Sequence, residues 1–247
     1  MSDIPQEHRS VAVVIAAAGS GARLPGGEPK QWRLLGGIPL IAYSFRFFDA
    51  LPAVSQIALA LDPETLSRPD RLRFLESTGG TAVRLVRGGS SRQESVWYAL
   101  GALDPAPEIV LVHDAARPFP PWDAVAACIE SARRHGGAIL ARPVIETIKR
   151  AGPGLLVEET LDRRTLWAAQ TPQGFRHADL VRAYRAVENH LEDFTDDAAI
   201  FEAGGGRVQI VEGPERNFKV THPEDFLRAE KELGRLLSAE CSEDSVE

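Results

Sequence analysis

Short apolar, β-branched runs alternate with helix-length amphipathic stretches along the first 144 residues, and no other feature limits the fold as tightly. The runs "VAVVIAA" (11–17), "SQIALAL" (55–61), "TAVRLVRGG" (81–89), "EIVLVHDAARP" (108–118) and "GGAILARPV" (136–144) predict strands. The stretches 39–51, 62–78, 90–103 and 121–135 predict helices, with Pro39 in the first turn of one and a Ser90 or Ser91 cap on another. Strands that are apolar along their length are buried on both faces, so the succession predicts an α/β chain with a mostly parallel, helix-covered sheet. Crossovers of this kind are right-handed. A chain of 247 residues with 44% hydrophobic residues can bury one large core, and nothing resembling a linker or a repeat divides it. One domain over 1–238 is the expectation.

The alternation breaks after Val144. Residues 144–175 carry short β-like runs around "AGPG" (151–154), which reads as a hairpin arm, centred on about 144–170. A two-stranded arm is not stable alone in water, so it must pack on something, and a second subunit suits. Beyond it the pattern predicts helices at 177–189 and 195–205, strands at 207–212 and 217–221, and a last helix from Pro223. The acidic tail 239–247 is expected to be disordered.

The net charge of −7 argues against broad nucleic-acid or membrane-surface binding, but not against a local basic pocket for a small phosphorylated ligand. The polar start "MSDIPQEHRS" is unlike a secretory leader, and the apolar run 11–18 is too short to cross a bilayer. Cys128 and Cys241 form no metal-like or redox motif, and a reducing cytoplasm fits them.

Charged and small residues gather where strands end. "AAAGSGARLPGGEPKQW" follows the first strand; its glycines let backbone approach a ligand, and Arg23 and Lys30 can close over phosphate. It matches neither dinucleotide nor P-loop patterns fully, and an ordinary turn with solvated cations is the plainer alternative. Asp114, at the end of "EIVLV", is costly to bury unless it meets a cation or a metal, Mg²⁺ being the hard ion that carboxylates favour. It can otherwise cap the next helix. His113 reads as a packed or hydrogen-bonded residue, and Arg117 as an anion contact or an ion-pair partner of Asp114. "GGSSRQES" (88–95) opens a helix whose N-terminus favours anions or is simply capped. Thr195 reads as the cap of the helix beginning at "TDDAA", and Lys219 as the centre of a short strand.

Together, "AAAGSGARLPGGEPKQW", "GGSSRQESV", "VHDAARP", "ETIKR", "TLDRRTLWAAQTPQGF", "TDDAA" and "VEGPERNFKVTHPEDF" resemble the 2-C-methyl-D-erythritol 4-phosphate cytidylyltransferases, in unbroken order from about Val11 to Glu230. The first stretch is shared among many nucleotidyltransferases, whereas "VHDAARP" and the arm stretch are narrower. The resemblance implies a Rossmann-like nucleotidyltransferase fold and a homodimer joined through the arm. It implies that CTP and 2-C-methyl-D-erythritol 4-phosphate react, with Mg²⁺, to give the CDP-alcohol and pyrophosphate. It implies that Ala17, Ala18, Gly19 and Gly21 line the CTP loop, that Arg23 and Lys30 grip the triphosphate, and that Gly88, Ser95 and Ala115 lie at the nucleotide. Asp114 would then belong to the metal and substrate region with Arg117 and Thr195 nearby, and Lys219 would stabilise charge at the reacting phosphate. Thr147 and Arg163, on the arm, would bind the sugar phosphate in the neighbouring subunit's site. Trp32 stands where Tyr or Phe is expected, which reads as a packing change.

The reaction so implied needs no strong base, because the attacking phosphate is already an anion; positioning and electrostatics carry it. A ribitol 5-phosphate cytidylyltransferase, a dinucleotide-dependent oxidoreductase and a non-catalytic nucleotide-binding module are the rival readings.

Overall fold

A computed structural model describes residues 10–19, 28–77 and 80–243. In chain order the strands and helices are β1 (Val11–Ala17), β2 (Leu34–Leu35), β3 (Ile38–Pro39), α1 (Leu40–Asp49), β4 (Val54–Leu61), α2 (Pro63–Leu66), α3 (Pro69–Leu72), β5 (Ala82–Arg87), α4 (Arg92–Gly101), β6 (Ile109–Asp114) and α5 (Trp122–His135). They continue with β7 (Gly137–Pro143), β8 (Lys149–Ala151), β9 (Val157–Thr160), β10 (Trp167–Arg176), α6 (His177–Ala186), α7 (Asp197–Ala203), β11 (Val208–Glu212) and α8 (Pro223–Glu243).

Seven strands form one sheet in the order β11-β7-β10-β6-β1-β4-β5. All neighbouring pairs are parallel except those of β10, which runs antiparallel between β6 and β7. The side-chain period of two explains why both faces are covered. On β1, Val11, Val13 and Ile15 point to one face, where Phe45 and Phe48 of α1 and Val125 and Ile129 of α5 pack. Ala12 and Val14 point to the other, against Val96 of α4, Leu180 and Tyr184 of α6 and Phe201 of α7. A third cluster sits under α8, where Leu35, Leu40, Phe119 and Val220 meet Ala229.

The order of strands decides where a ligand can bind. The chain runs outward from β1 through β4 to β5, then returns to place β6 on the other side of β1. The crossovers therefore diverge between β1 and β6, and a crevice opens there beyond the carboxyl ends of the strands.

Several local expectations are corrected. Pro39 lies in β3 and immediately precedes α1 rather than occupying its first turn. The hairpin is shorter than 144–175: only β8 and β9 pair in it, and 167–176 is the antiparallel strand of the main sheet. Residues 217–221 form no strand; the segment is held to the molecule by Val220 N–H donating to Ala116 O at 2.8 Å. The helix α8 continues to Glu243, into the stretch expected to be disordered.

Candidate active site

The crevice is a cavity of about 580 Å³. Its walls come from the end of β1 (Ala17, Ala18, Gly19), the turn holding Lys30, the start of α4 (Ser91, Arg92, Ser95), the end of β6 (Asp114, Ala115) and Lys219. Stretches far apart in sequence are brought together because β1 and β6 are neighbours. Gly21 and Arg23 lie outside the described residues.

The wall beside β1 depends on Gly88. A Cβ there would stand 2.2 Å from the Cβ of Ala18, so a side chain would push the two loops apart. Its N–H donates to Leu61 O at 2.8 Å, which ties the end of β5 to the end of β4. Ser91 caps α4, accepting from Glu94 N–H at 3.0 Å. The Ser95 hydroxyl donates to Ser91 O and accepts from Gly89 N–H, so it shapes the small-residue loop from within.

The floor is built of charge. Asp114 is 7% exposed, and three cations converge on it. Arg92 Nε donates to Oδ1 at 2.8 Å, Lys219 Nζ lies 2.8 Å from Oδ2, and Arg117 Nε stands at 3.8 Å. Burial opposes the charged carboxylate, but the attraction of Arg92, Lys219 and Arg117 outweighs it and holds Asp114 well below the usual carboxylate range. A helix-cap role for Asp114 is excluded, since the next helix begins at Trp122. Arg117 is mainly a strut: its Nη1 donates to Asn217 O at 2.7 Å, and burial lowers its pKa despite the pull of Asp114. Asn217 is itself fixed by Nδ2 donating to Thr171 O at 2.9 Å. This pair places Lys219, two residues on.

The residue that sequence reasoning passed over is Arg92. Its Nη2 lies 2.8 Å from Oδ2 of Asp197, a fully buried carboxylate that also accepts from Tyr184 Oη at 2.6 Å. One guanidinium thus joins α4, β6 and α7. Burial disfavours its charge, yet Asp197 and Asp114 raise its pKa well above the ordinary value. A signal was present: Arg92 is the first residue of α4, where the helix dipole favours acids, so a cation there needs a strong partner. In the sequence Asp197 looks like an ordinary acid in the first turn of a helix. The cap of α7 is Asp196, accepting from Ala199 N–H at 3.0 Å, and not the exposed Thr195.

His113 is fully buried behind the floor. Its Nε2 faces Arg117 O at 3.0 Å, so that nitrogen carries the proton. Nδ1 therefore accepts from Thr171 Oγ1 at 3.1 Å, and the same hydroxyl accepts from Asp114 N–H at 3.0 Å. Burial lowers the His113 pKa to about 4 and keeps the ring neutral, as a packed residue rather than a metal ligand.

Arg117, Thr147, Arg163 and Thr195 do not line the cavity of their own chain. Thr147 and Arg163 are exposed; Arg163 donates to Ile145 O across the base of the arm.

A family model described as 2-C-methyl-D-erythritol 4-phosphate cytidylyltransferase matches residues 11–235. The chain belongs to this cytidylyltransferase family. A family relative from Symbiobacterium thermophilum, named 2-C-methyl-D-erythritol 4-phosphate cytidylyltransferase, is 41% identical over 220 residues, 89% of this chain and 91% of the relative. A bifunctional enzyme IspD/IspF from Desulfotalea psychrophila is 39% identical over 222 residues. That match takes in 90% of this chain but 56% of the relative, so the chain spans little more than half the length of such bifunctional cytidylyltransferase relatives. A solved structure, the 4-diphosphocytidyl-2C-methyl-D-erythritol synthase of Anaerococcus prevotii, superposes with a TM-score of 0.80 at 28% identity, over 92% of this chain and 97% of that one. The family fold is thus the α/β sheet seen here.

Proposed function

We propose that the protein transfers the cytidylyl group of CTP to 2-C-methyl-D-erythritol 4-phosphate, releasing pyrophosphate. The observation that carries this reading is the cavity itself: cations and small residues from the family's stretches meet at the β1–β6 crevice around an ionised, buried carboxylate. Ala17, Ala18 and Gly19 would take the nucleotide against backbone, with Ser95 and Ala115 lining the cavity beside them and Gly88 behind Ala18 letting the two loops approach. Lys30 would grip the triphosphate, together with Arg23, which lies outside the described residues.

Two anions must approach each other at the α-phosphorus, and negative charge grows there in the transition state. Fixed cations on the cavity floor stabilise that charge without reorganising. Lys219 is held by Asp114, and Asp114 by Arg92, so its ammonium is already placed when substrate arrives. Protein donors suit a Mg²⁺ ion carried mainly by phosphate oxygens. The cavity offers the single carboxylate Asp114, and no trio of acidic, His or Cys side chains forms among the described residues. Asp114, whose two oxygens already hold Arg92 and Lys219, would stand near such an ion and act on it indirectly, and the ion when bound would neutralise phosphate charge.

The arm is read as the dimer contact. Leu155, Leu156 and Val157 at its tip are 88%, 74% and 60% exposed, more apolar surface than a two-stranded hairpin leaves to water without a partner. Through it Thr147 and Arg163 would reach the sugar phosphate bound by the neighbouring subunit. Among the described residues no helix is long and apolar enough to cross a membrane, and a cytoplasmic location fits the free, buried thiol of Cys128.

Pyrophosphate release from CTP with Mg²⁺ against a panel of polyol phosphates tests the reading. Turnover with methylerythritol phosphate well above ribitol 5-phosphate is expected. The reverse preference would transfer the proposal to the ribitol enzyme.

A further inference from the structure

The turn that carries Lys30 is clasped from behind. Lys30–Trp32 is a single 3-10 turn, and Lys30 and Gln31 line the cavity while Trp32 points away from it into the core. Gln31 is buried, and its Nε2 donates to Ala17 O at 2.8 Å, which ties the turn to the last residue of β1. Trp32 Nε1 donates to Thr65 Oγ1 at 2.8 Å, and Thr65 Oγ1 lies 2.7 Å from Asp62 Oδ2. Indole nitrogen only donates, so Thr65 Oγ1 accepts from Trp32 and gives its own proton to Asp62 Oδ2. Thr65 is fully buried, and Asp62 is held in place as the cap of α2 through Thr65 N–H. The guanidinium of Arg71, on α3, covers the Trp32 ring 5.5 Å from its centroid and pairs with Glu28 at 2.6 Å. None of α2 or α3 lines the cavity, so nothing in ligand contact explains why these short helices spend a buried hydroxyl and an arginine on the turn.

We propose that Trp32, with Thr65 and Arg71 behind it, is a positioning residue for the phosphate-gripping turn: it fixes where Lys30 stands before the nucleotide arrives. The inference rests on the reading of the cavity as a CTP site. Trp32 is then more than a packing substitute for Tyr or Phe, because its indole N–H is the link to Thr65. Phe keeps the ring and loses that donor.

The test is a double-mutant cycle of Trp32→Phe and Lys30→Ala, with Thr65→Val as a second probe that keeps Trp32. Alone, Trp32→Phe should lower kcat/KM for CTP about tenfold and leave KM for the polyol phosphate within twofold. In the Lys30→Ala background it should add less than a twofold loss, and Thr65→Val should behave alike. A full tenfold loss in both backgrounds would overturn the proposal, since a merely structural role is felt whether or not Lys30 is present. Amide hydrogen exchange of residues 28–33 without ligand gives a readout independent of activity: faster exchange in both variants is expected, and unchanged exchange contradicts the clasp. A wild-type chain that releases no pyrophosphate from CTP would instead overturn the activity reading and leave the exchange result to decide the clasp.

Discussion

The cavity floor and the arm are both rich in ion pairs, but they hold charge in opposite ways. On the floor, Asp114, Arg92 and Asp197 are drawn from three elements, and their side chains are 10%, 23% and 0% exposed. On the arm, Arg150 and Glu159 pair at 2.8 Å between β8 and β9 with side chains 61% and 50% exposed. The distances match; the surroundings do not. Water screens the arm pair, so it contributes little and fixes little. The buried set cannot ionise without its partners, so each partner dictates where the next one stands. The floor is therefore prepared within one chain, whereas the exposed pair on the arm fixes little.

That contrast predicts a graded series of effects. The largest is on stability: Arg92→Met leaves two buried carboxylates without their shared cation and should cost about 3–5 kcal/mol in urea unfolding. An effect as small as that of a surface pair would mean the floor is wetter than its burial indicates. Next, on the proposed reading, Lys219→Ala should reduce kcat about 10²- to 10³-fold with a small change in melting temperature, because it would remove one preorganised cation from the reacting phosphate.

A pH series separates the floor from its support. The His113 pKa falls from 6.5 in the unfolded chain to about 4 when buried beside Arg117 and Arg92 and near Asp114. The unfolded state binds the proton more tightly, so stability is full above pH about 6.5. It should decline as pH falls to about 4, by about 3 kcal/mol. Asp114, whose pKa is depressed well below its ordinary value, adds a further loss only below that window. Urea unfolding of His113→Gln should flatten the slope between pH 6.5 and 4 and leave the more acidic part unchanged.

The arm predictions are smaller. Arg163→Ala should raise KM for the polyol phosphate about tenfold while KM for CTP stays put, as expected for one lost charged contact. A change in CTP affinity alone would contradict the arm's assignment to the sugar phosphate. Smallest of all, Arg150→Ala should shift unfolding by about 0.2–1 kcal/mol, the range of exposed pairs.

The same contrast explains what could be read in advance. β1, β4 and β6 were legible because unbroken apolar runs have few homes other than a two-faced parallel sheet. β10 was not, because "WAAQTPQGF" holds a proline and follows a real hairpin; its place between β6 and β7 is a property of the gap those strands leave. The short run around Lys219 looks like a strand in the sequence, but the segment is fixed by Val220 N–H donating to Ala116 O, Arg117 Nη1 donating to Asn217 O, and Asn217 Nδ2 donating to Thr171 O. Asp114 and Lys30 were visible as charges at unusual places, whereas Lys219 alone looked like an ordinary surface lysine and stood out only through the family resemblance. Asp197 was hidden because a second acid beside a helix cap looks ordinary, and its partner lies more than a hundred residues away.

The most direct test of the central claim uses CTP labelled at the α-phosphorus in a single turnover with methylerythritol phosphate and Mg²⁺. Transfer from a cavity with a fixed cationic floor predicts that the label moves onto the polyol phosphate while unlabelled pyrophosphate leaves in equal amount. Label that stays in bound CTP, or appears only as free CMP, would contradict it.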